Sequence, residues 1–212
     1  MRPLLRAIAL ALWLAVPAAA FGQAMDQLLK ATTQGDAKTV AALIDRGLEV
    51  DSTDTDGNTL LMIASRLGHL ELVSALIERK ASVTKRSAHG DTALLFASLK
   101  GHLAVVKLLV ENGAKVSQDG WAPIHYAAFE GRTEVLKYLL GKGADKNALG
   151  PNGFTALMLA ARGGHLEAAR VLLYEDADVG VRGPAGETAL GIAKSRKNVE
   201  LETLLKRAGA VD

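Results

Sequence analysis

Three histidines, each directly after a glycine, are the first candidates for chemistry in this chain: His69, His102 and His165. Imidazole nitrogens bind zinc at about 2.0–2.1 Å, so neighbouring rings could form a metal site. These residues, however, recur with a longer sequence repeat, which places each of them in a separate layer of the fold. Successive layers lie too far apart for two rings to share one ion. We therefore interpret the histidines as structural residues at the start of a helix and predict no metal site.

No other pattern of reactive residues indicates catalysis. The chain has no cysteine, which excludes disulfides, thiol nucleophiles and Cys-ligated metals. The motifs His-Glu-x-x-His, Gly-x-Ser-x-Gly and Gly-x-Gly-x-x-Gly are absent, as is a phosphate-binding loop. Aspartates and glutamates are scattered along polar segments without a pair suited to acid–base chemistry. The sequence predicts no catalytic residue and no cofactor.

The balance of charge argues against nucleic acid as a partner. The 212 residues are 49% hydrophobic and 23% charged, which favours a globular domain over a disordered chain. The formal net charge of +2 comes from Arg2 and Arg6, because the rest of the chain has 23 basic and 23 acidic residues. A neutral chain lacks the electrostatic footprint of a protein that binds duplex nucleic acid or an anionic membrane.

The N-terminal segment has the order of parts found in a secretory signal peptide. Two arginines precede the uncharged run 7–16, which is followed by Pro17 and small residues. Cleavage is expected after Ala20 or after Ala24. The alternative is an uncleaved anchor, but the apolar run is shorter than the roughly 20 residues that a spanning helix needs. We predict that residues 1–24 are a signal peptide and that the mature protein is soluble and periplasmic or secreted.

The rest of the chain is one repeated unit. A pattern Gly-x-Thr-x-Leu-x-x-Ala, or a close variant of it, recurs at a spacing of 33 residues, with one step of 30. Its first residues are Gly57, Gly90, Gly120, Gly153 and Gly186. A second series reads Gly-His-Leu or a variant of it and begins at Gly68, Gly101, Gly131 and Gly164. A third series ends the units, at Gly47, Gly113, Gly143 and Gly209. Three glycine series in register predict a stack of repeats rather than a single folding unit.

These motifs closely resemble the ankyrin repeat, whose hallmarks are Thr-Pro-Leu-His-x-Ala and a later Gly-His-x-Glu-Val-Val-x-Leu-Leu. The fourth unit keeps Pro123 and His125 but has Ala122 in place of threonine. The resemblance covers residues 25–212 and implies an all-α solenoid of helix-turn-helix units joined by β-hairpin fingers. We divide this domain into six repeats: 25–55, 56–88, 89–118, 119–151, 152–184 and 185–212.

Two features depart from a regular repeat. Lys80 and Asp176 occupy positions where a glycine normally ends the second helix, so we expect left-handed backbone strain there. The segment from Gly113 to Gly120 is three residues short, so one finger must be truncated.

The resemblance also implies where a partner binds, because ankyrin repeats usually contact proteins through the concave surface of first helices and finger tips. Carried onto this sequence, the candidate partner-binding residues are Arg66, Leu67, His89, Leu99, Lys100, Trp121, Phe129, Glu130, Leu149, Asn152, Phe154 and Arg162. Within this set, Trp121, Phe129 and Phe154 are expected to form one exposed aromatic patch. The alternative is that Trp121 turns inward and covers the gap left by the short finger. The other aromatic residues beyond the signal segment, apart from Phe21, are Phe96, Tyr126, Tyr138 and Tyr174, and we expect these to pack within the stack.

Together these features predict a non-catalytic, monomeric protein-interaction module of the periplasm, acting as a scaffold, inhibitor or assembly factor for another protein. The alternative is a module that senses a peptide or small molecule, with the aromatic patch as its cleft. The partner is not expected to be nucleic acid or, after signal cleavage, a membrane.

Overall fold

Six pairs of helices make up residues 18–211, the part of the chain that the computed structural model describes. The helices are α1 (Ala18–Gln34), α2 (Ala37–Asp45), α3 (Leu60–Leu67), α4 (Leu70–Glu78), α5 (Ala93–Lys100), α6 (Leu103–Glu111), α7 (Pro123–Phe129), α8 (Thr133–Gly141), α9 (Ala156–Gly163), α10 (Leu166–Tyr174), α11 (Ala189–Ser195) and α12 (Val199–Arg207). The odd-numbered, first helices of neighbouring repeats pack against each other, and so do the even-numbered, second helices. The predicted all-α solenoid is confirmed.

The first helices begin where the sequence repeat places a threonine. The hydroxyl oxygen of Thr59 accepts a hydrogen bond from the backbone nitrogen of Met62 at 3.2 Å, and equivalent threonines cap α5, α9 and α11. Behind each cap the helix presents small and aliphatic residues such as Leu61 and Ala64, which are fully buried. Small side chains let neighbouring first helices approach closely, which produces one continuous core along the stack.

The turn between the two helices of a repeat is completed by the following repeat. Gly68 has a φ of 77°, and a Cβ added to it would lie 2.7 Å from the ring of His102. Nε2 of His102 lies 3.2 Å from the carbonyl oxygen of Arg66, at the end of the preceding first helix. His69 makes the same contact with Thr33, at 3.1 Å.

The histidines were expected to stabilise the start of their own helices, but their side chains instead contact the preceding repeat. Their side chains do not cap the second helices at which they stand, because no side-chain cap bond forms at His69, His102 or His165. In the fourth repeat Arg132 replaces histidine, and its Nε donates to the carbonyl oxygen of Leu99 at 3.1 Å. The residue at this position therefore joins one repeat to the one before it.

Three residues other than glycine adopt a left-handed backbone in the described part of the chain. Lys80 has a φ of 70° and Asp176 a φ of 58°, as the sequence predicted for the two missing glycines. The third is Lys197, with a φ of 57°, between α11 and α12. It stands where the other repeats have the glycine of the helix turn, and the sequence analysis did not identify it.

The fingers are tighter than the β-hairpins that the family resemblance implied. In residues 18–211 the β-pairing is an isolated bridge between Thr53 and Thr59, and no strand is formed. Each regular finger closes within five residues, as where the Gly150 nitrogen donates to the carbonyl oxygen of Phe154 at 2.9 Å. A turn that closes so early leaves no room for a ladder of paired residues.

Helix α1 is about twice as long as the other first helices and contains both predicted cleavage points, after Ala20 and after Ala24. From residue 21 onwards its exposed residues include Phe21, Gly22 and Gln23, and the first buried side chain in that part is Leu28. Residues 1–17 of the predicted signal segment lie outside the described residues. None of the helices described here has the length and apolar character needed to cross a membrane.

Candidate functional site

The first helices and the fingers form one face of the solenoid, which we call the first-helix face. Because the repeats stack in register, residues at equivalent positions form rows across it. One row consists of Ile63, Phe96, Tyr126, Leu159 and Ile192, and the next consists of Arg66, Leu99, Phe129, Arg162 and Ser195. The rows are most aromatic where the fourth repeat meets the third and fifth.

A cavity of about 310 Å³ opens on this face between α7 and α9. Its lining is Trp121, His125, Tyr126, Phe129, Asn152, Leu159 and Arg162. Four of these side chains are apolar or aromatic and form the walls, while the polar side chains are few and lie beside them. This combination is typical of a binding site, in which apolar area supplies affinity and a few polar groups fix orientation.

Trp121 forms one wall of the cavity and is half-buried. Its ring stands edge-on to that of His125 at 84° with 5.7 Å between ring centres, and is tilted against Tyr126 at the same distance. A Cβ on Gly150 would lie 2.9 Å from the indole, so the ring also packs on the backbone of the next finger. Trp121 is thus fixed between two repeats with part of its surface open to the cavity.

The short finger determines where Trp121 stands. In a regular finger, a backbone nitrogen donates to the carbonyl oxygen four residues later. In the short finger, the side-chain nitrogen of Gln118 instead donates to the carbonyl oxygen of Trp121 at 2.5 Å. The Gln118 oxygen in turn accepts from Nη2 of Arg86 at 3.2 Å, which links the finger to the preceding repeat. A polar side chain therefore replaces the residues missing from this finger.

His125 is buried beneath Trp121 and has both ring nitrogens occupied. Its Nδ1 accepts from the backbone nitrogen of Ala122 at 3.0 Å, and its Nε2 lies 2.9 Å from the carbonyl oxygen of Ala148. The proton is therefore on Nε2, because Nδ1 must carry a free lone pair. Burial lowers the pKa of His125, which keeps the ring neutral. It is a structural support for the cavity and not a free acid or base.

The charges beside the cavity differ between its two sides. On the α5 side, burial raises the pKa of Asp91, and burial together with the charge of Asp91 raises the pKa of Tyr126. On the α9 side, the exposed Arg162 has no ion pair with any residue of the described chain. Phe129 lies between the Asp91 side and the Arg162 side of the cavity, with 41% of its surface exposed.

The structure brings four of the candidate residues together: Trp121, Phe129, Asn152 and Arg162 line the same cavity. Phe154 does not belong to this lining. It is half-buried against the core, and a Cβ on Gly183 would lie 3.0 Å from its ring, so the following finger covers it. The expected patch of three aromatic residues therefore contains two, because the regular finger after Phe154 covers a surface that the irregular finger region around Trp121 leaves open.

The remaining candidates lie around the cavity or further along the same face. Leu149 and Leu67 are exposed, at 54% and 42% of their surface, while Leu99 is half-buried. The guanidinium of Arg66 lies over the Phe96 ring at 5.6 Å, and Glu130 is 3.6 Å from Arg132. His89 and Lys100 are exposed.

Sequence reasoning missed three of the lining residues, namely His125, Tyr126 and Leu159. These residues could have been identified from the sequence, because each occupies a repeat position that faces the neighbouring first helix. Tyr174 was wrongly expected to pack within the stack, because 86% of its surface is exposed at the end of α10. Across residues 18–211, no group of three His, Asp or Glu side chains is arranged to hold a metal ion.

Comparisons with known proteins agree on the architecture. A family model described as ankyrin repeats matches three times, over residues 28–119, 81–150 and 114–183. The crystal structure of the human ASB11 ankyrin repeat domain is 31% identical, with a TM-score of 0.81, and the match covers 87% of this chain and 84% of that one. An ankyrin repeat domain from Acinetobacter baumannii AYE is 27% identical, with a TM-score of 0.76, covering 87% and 98%. No curated protein matches the sequence significantly.

Proposed function

The chain belongs to the ankyrin repeat family, whose members bind other proteins, and from this premise we propose that it is a non-catalytic interaction module. It acts as a scaffold, inhibitor or assembly factor, and the surface around Trp121 and Phe129 contacts the partner. The observation that carries this proposal is the cavity of about 310 Å³ in the first-helix face, with exposed aromatic area at its mouth. Aromatic side chains at the centre of an exposed apolar patch are typical of interface hot spots.

Site-specific crosslinking tests the location of this surface. A photoreactive phenylalanine analogue at position 129 should capture the partner in native cells, whereas the same analogue at position 174 should not. Tyr174 is the matched control because it is an exposed aromatic residue on α10, away from the first-helix face.

The captured protein is then used in binding measurements. Phe129→Ala should weaken binding by at least about 2 kcal/mol while melting stays nearly unchanged, because the ring is exposed before binding. Tyr174→Ala should leave both unchanged. Equal binding by the wild type and the Phe129→Ala and Trp121→Ala variants would refute the proposed surface.

A second candidate is the sensing of a peptide or small molecule, and the concave, partly open cavity between Trp121 and Leu159 favours it. About 310 Å³ is at the lower end of the ~300–1,000 Å³ that small-molecule sites occupy. A ligand that copurifies with the protein and is displaced by Trp121→Ala would favour this candidate over a protein partner.

We further propose export to the periplasm or the medium as a monomer, with residues 1–24 removed. The composition of that segment supports export, and so does the exposure of residues 21–23, which contribute no side chain to the core. The equal numbers of acidic and basic residues beyond residue 24 argue against nucleic acid as the partner. N-terminal sequencing of the protein from an osmotic-shock fraction tests export, and intact Met1 in the cytoplasm would refute it.

A further inference from the structure

We infer that the cavity beside Trp121 binds one apolar side chain of an acidic polypeptide segment, with a neighbouring carboxylate of that segment held by Arg162. This inference rests on the proposed function and adds the chemistry of the partner. It follows from the hydrogen-bonding groups that the cavity presents, from the charges along the first-helix face and from the size of the cavity.

The polar groups that the cavity offers to a ligand are mostly donors. Oδ1 of Asn152 already accepts from the backbone nitrogen of Phe154 at 3.1 Å, which leaves its amide NH₂ free. His125 has no free acceptor, since its Nδ1 is bonded to Ala122. The indole N–H of Trp121 donates to no described residue, and the Tyr126 hydroxyl can donate or accept. A ligand that complements these groups must bring acceptors.

Arg162 makes a carboxylate the best of these acceptors. Its guanidinium lies at the cavity without an ion pair among the described residues, and this group binds carboxylates with two parallel hydrogen bonds. Asp91 lies on the opposite side, close enough to raise the pKa of Tyr126. Its charge repels an anion there, so the carboxylate is directed to the α9 side.

The charges further along the face also favour an acidic segment. In the row from Arg66 to Ser195 and the row of residues directly after it (67, 100, 130, 163 and 196), the charged members are Arg66, Lys100, Glu130, Arg162 and Arg196. The single acidic member, Glu130, lies 3.6 Å from Arg132 and is neutralised by it. The row thus carries an excess of positive charge although the domain as a whole is neutral.

The cavity has room for one large apolar side chain. About 310 Å³, open on one side, accommodates a leucine, methionine or phenylalanine side chain and lies at the lower end of the range for small-molecule sites. The half-buried Leu99 and the exposed Phe129 next to the opening provide apolar area for the flanking residues of an extended chain. A polypeptide can fill the cavity and cover this area together, which a molecule confined to the cavity does not do.

Trp121 provides the readout. The chain has two tryptophans, so Trp13→Phe in the full-length protein leaves Trp121 as the single tryptophan, whose emission is followed. The probes are seven-residue peptides, acetylated and amidated, with Glu-Phe-Glu, Gln-Phe-Gln or Glu-Ala-Glu at the centre of a Gly/Ser frame. Acidic residues on both sides of phenylalanine make the test independent of chain direction.

We expect the Glu-Phe-Glu peptide to bind about tenfold more tightly than either other peptide, because each lacks one of the two contacts. Arg162→Gln should abolish the preference for Glu over Gln but keep the preference for Phe over Ala. Arg182→Gln is the control, because this exposed arginine lies in the finger between the fifth and sixth repeats, outside the lining, and should leave both preferences intact.

Equal binding of the Glu and Gln peptides, or a Glu preference that survives Arg162→Gln, would overturn the inference. Free N-acetylphenylalanine binding as tightly as the peptide would also overturn it, in favour of a small molecule. These failures are distinct from failure of the proposed function, which is read from the crosslinking at position 129. If crosslinking succeeds and all peptides bind equally, the proposed binding surface is supported and its preference for an acidic segment is refuted.

Discussion

The Nε2 atom of His125 lies 2.9 Å from the carbonyl oxygen of Ala148, so the ring joins the fourth repeat to the following finger. The same ring accepts the Ala122 N–H on its other nitrogen, in the repeat whose cap position lacks the threonine hydroxyl. One buried imidazole therefore helps to define the start of α7 and holds a wall of the cavity. Both bonds require the neutral ring with its proton on Nε2.

Acidification should destabilise the protein through this residue. Burial places the pKa of folded His125 below its ordinary value of 6.5, so the unfolded chain takes up a proton first as the pH falls. The contribution of His125 is complete above about pH 6.5 and is lost as the pH falls from there through the folded pKa. Methionine occupies the equivalent positions 62 and 158 of other repeats. His125→Met should therefore flatten the dependence of the unfolding free energy on pH between 7 and 5.

Chemical denaturation at several pH values measures this effect. Met158→Leu is the control, because it changes the equivalent buried position in α9 but leaves His125 in place, and it should retain the slope of the wild type. An unchanged slope in His125→Met would show that other groups govern the acid response.

The left-handed helix ends can be relieved by glycine. Asp176→Gly should raise the free energy of unfolding, because a φ of 58° strains a residue with a side chain more than it strains glycine. The gain should be at most about 1 kcal/mol, because glycine also increases the conformational entropy of the unfolded chain. Glu175→Gly, one residue earlier at a φ of −89°, should instead lower it by about 0.5–1 kcal/mol. Lys80→Gly and Lys197→Gly should follow Asp176→Gly. Loss of stability in all three would contradict the backbone geometry.

The helix-turn glycines should be less replaceable than other left-handed glycines. Gly113→Ala, at a φ of 93° with nothing near the new Cβ, should cost about 1–2 kcal/mol from backbone strain alone. Gly68→Ala carries the same kind of strain and also forces the His102 ring away from a Cβ at 2.7 Å. Its loss should therefore be clearly larger in thermal or urea unfolding. Combining Gly68→Ala with His102→Ala should remove the excess, and an equal cost in both single variants would rule out the steric part.

Two buried serine hydroxyls in the described part of the chain have no hydrogen-bond partner. Ser65 and Ser98 are completely buried at equivalent places in α3 and α5, where α7 and α9 have Ala128 and Ala161. Because an unpaired buried polar group is unfavourable, Ser65→Ala and Ser98→Ala should leave stability unchanged or raise it by up to about 1 kcal/mol. Ser117→Ala, at an exposed serine, is the control and should change little. A loss above about 1 kcal/mol in either buried variant would show that the hydroxyl is bonded in solution.

Much of this architecture was predictable because a repeat places the same local chemistry at each position. The threonine caps, the glycine turns and the strain at Lys80 and Asp176 depend on residues close in sequence, and the repeat register identifies them. Contacts between neighbouring repeats could not be predicted from the local sequence. The bond from His102 to Arg66 spans 36 residues, and its direction depends on how two units stack.

The candidate site was predictable in part for the same reason. Trp121 and Phe129 stand out as aromatic residues at outward positions, and the structure places both at one cavity. The separation of Phe154 from them depends on the finger of the following repeat, which reaches over its ring near Gly183. Whether an aromatic residue is open or covered thus depends on the length of the loop beside it, and that loop's path is a tertiary property.

The left-handed turn at Lys197 limits how the solenoid can be extended. At Gly35, Gly68 and Gly131 the missing Cβ makes room for a histidine ring from the following unit. Lys197 has the same backbone conformation but carries a Cβ, directed towards the side where a following unit would stack. A histidine-bearing unit stacked on α11 and α12 in the same geometry would place its ring against this Cβ. Lengthening this array by design with a histidine-bearing unit would therefore begin with Lys197→Gly.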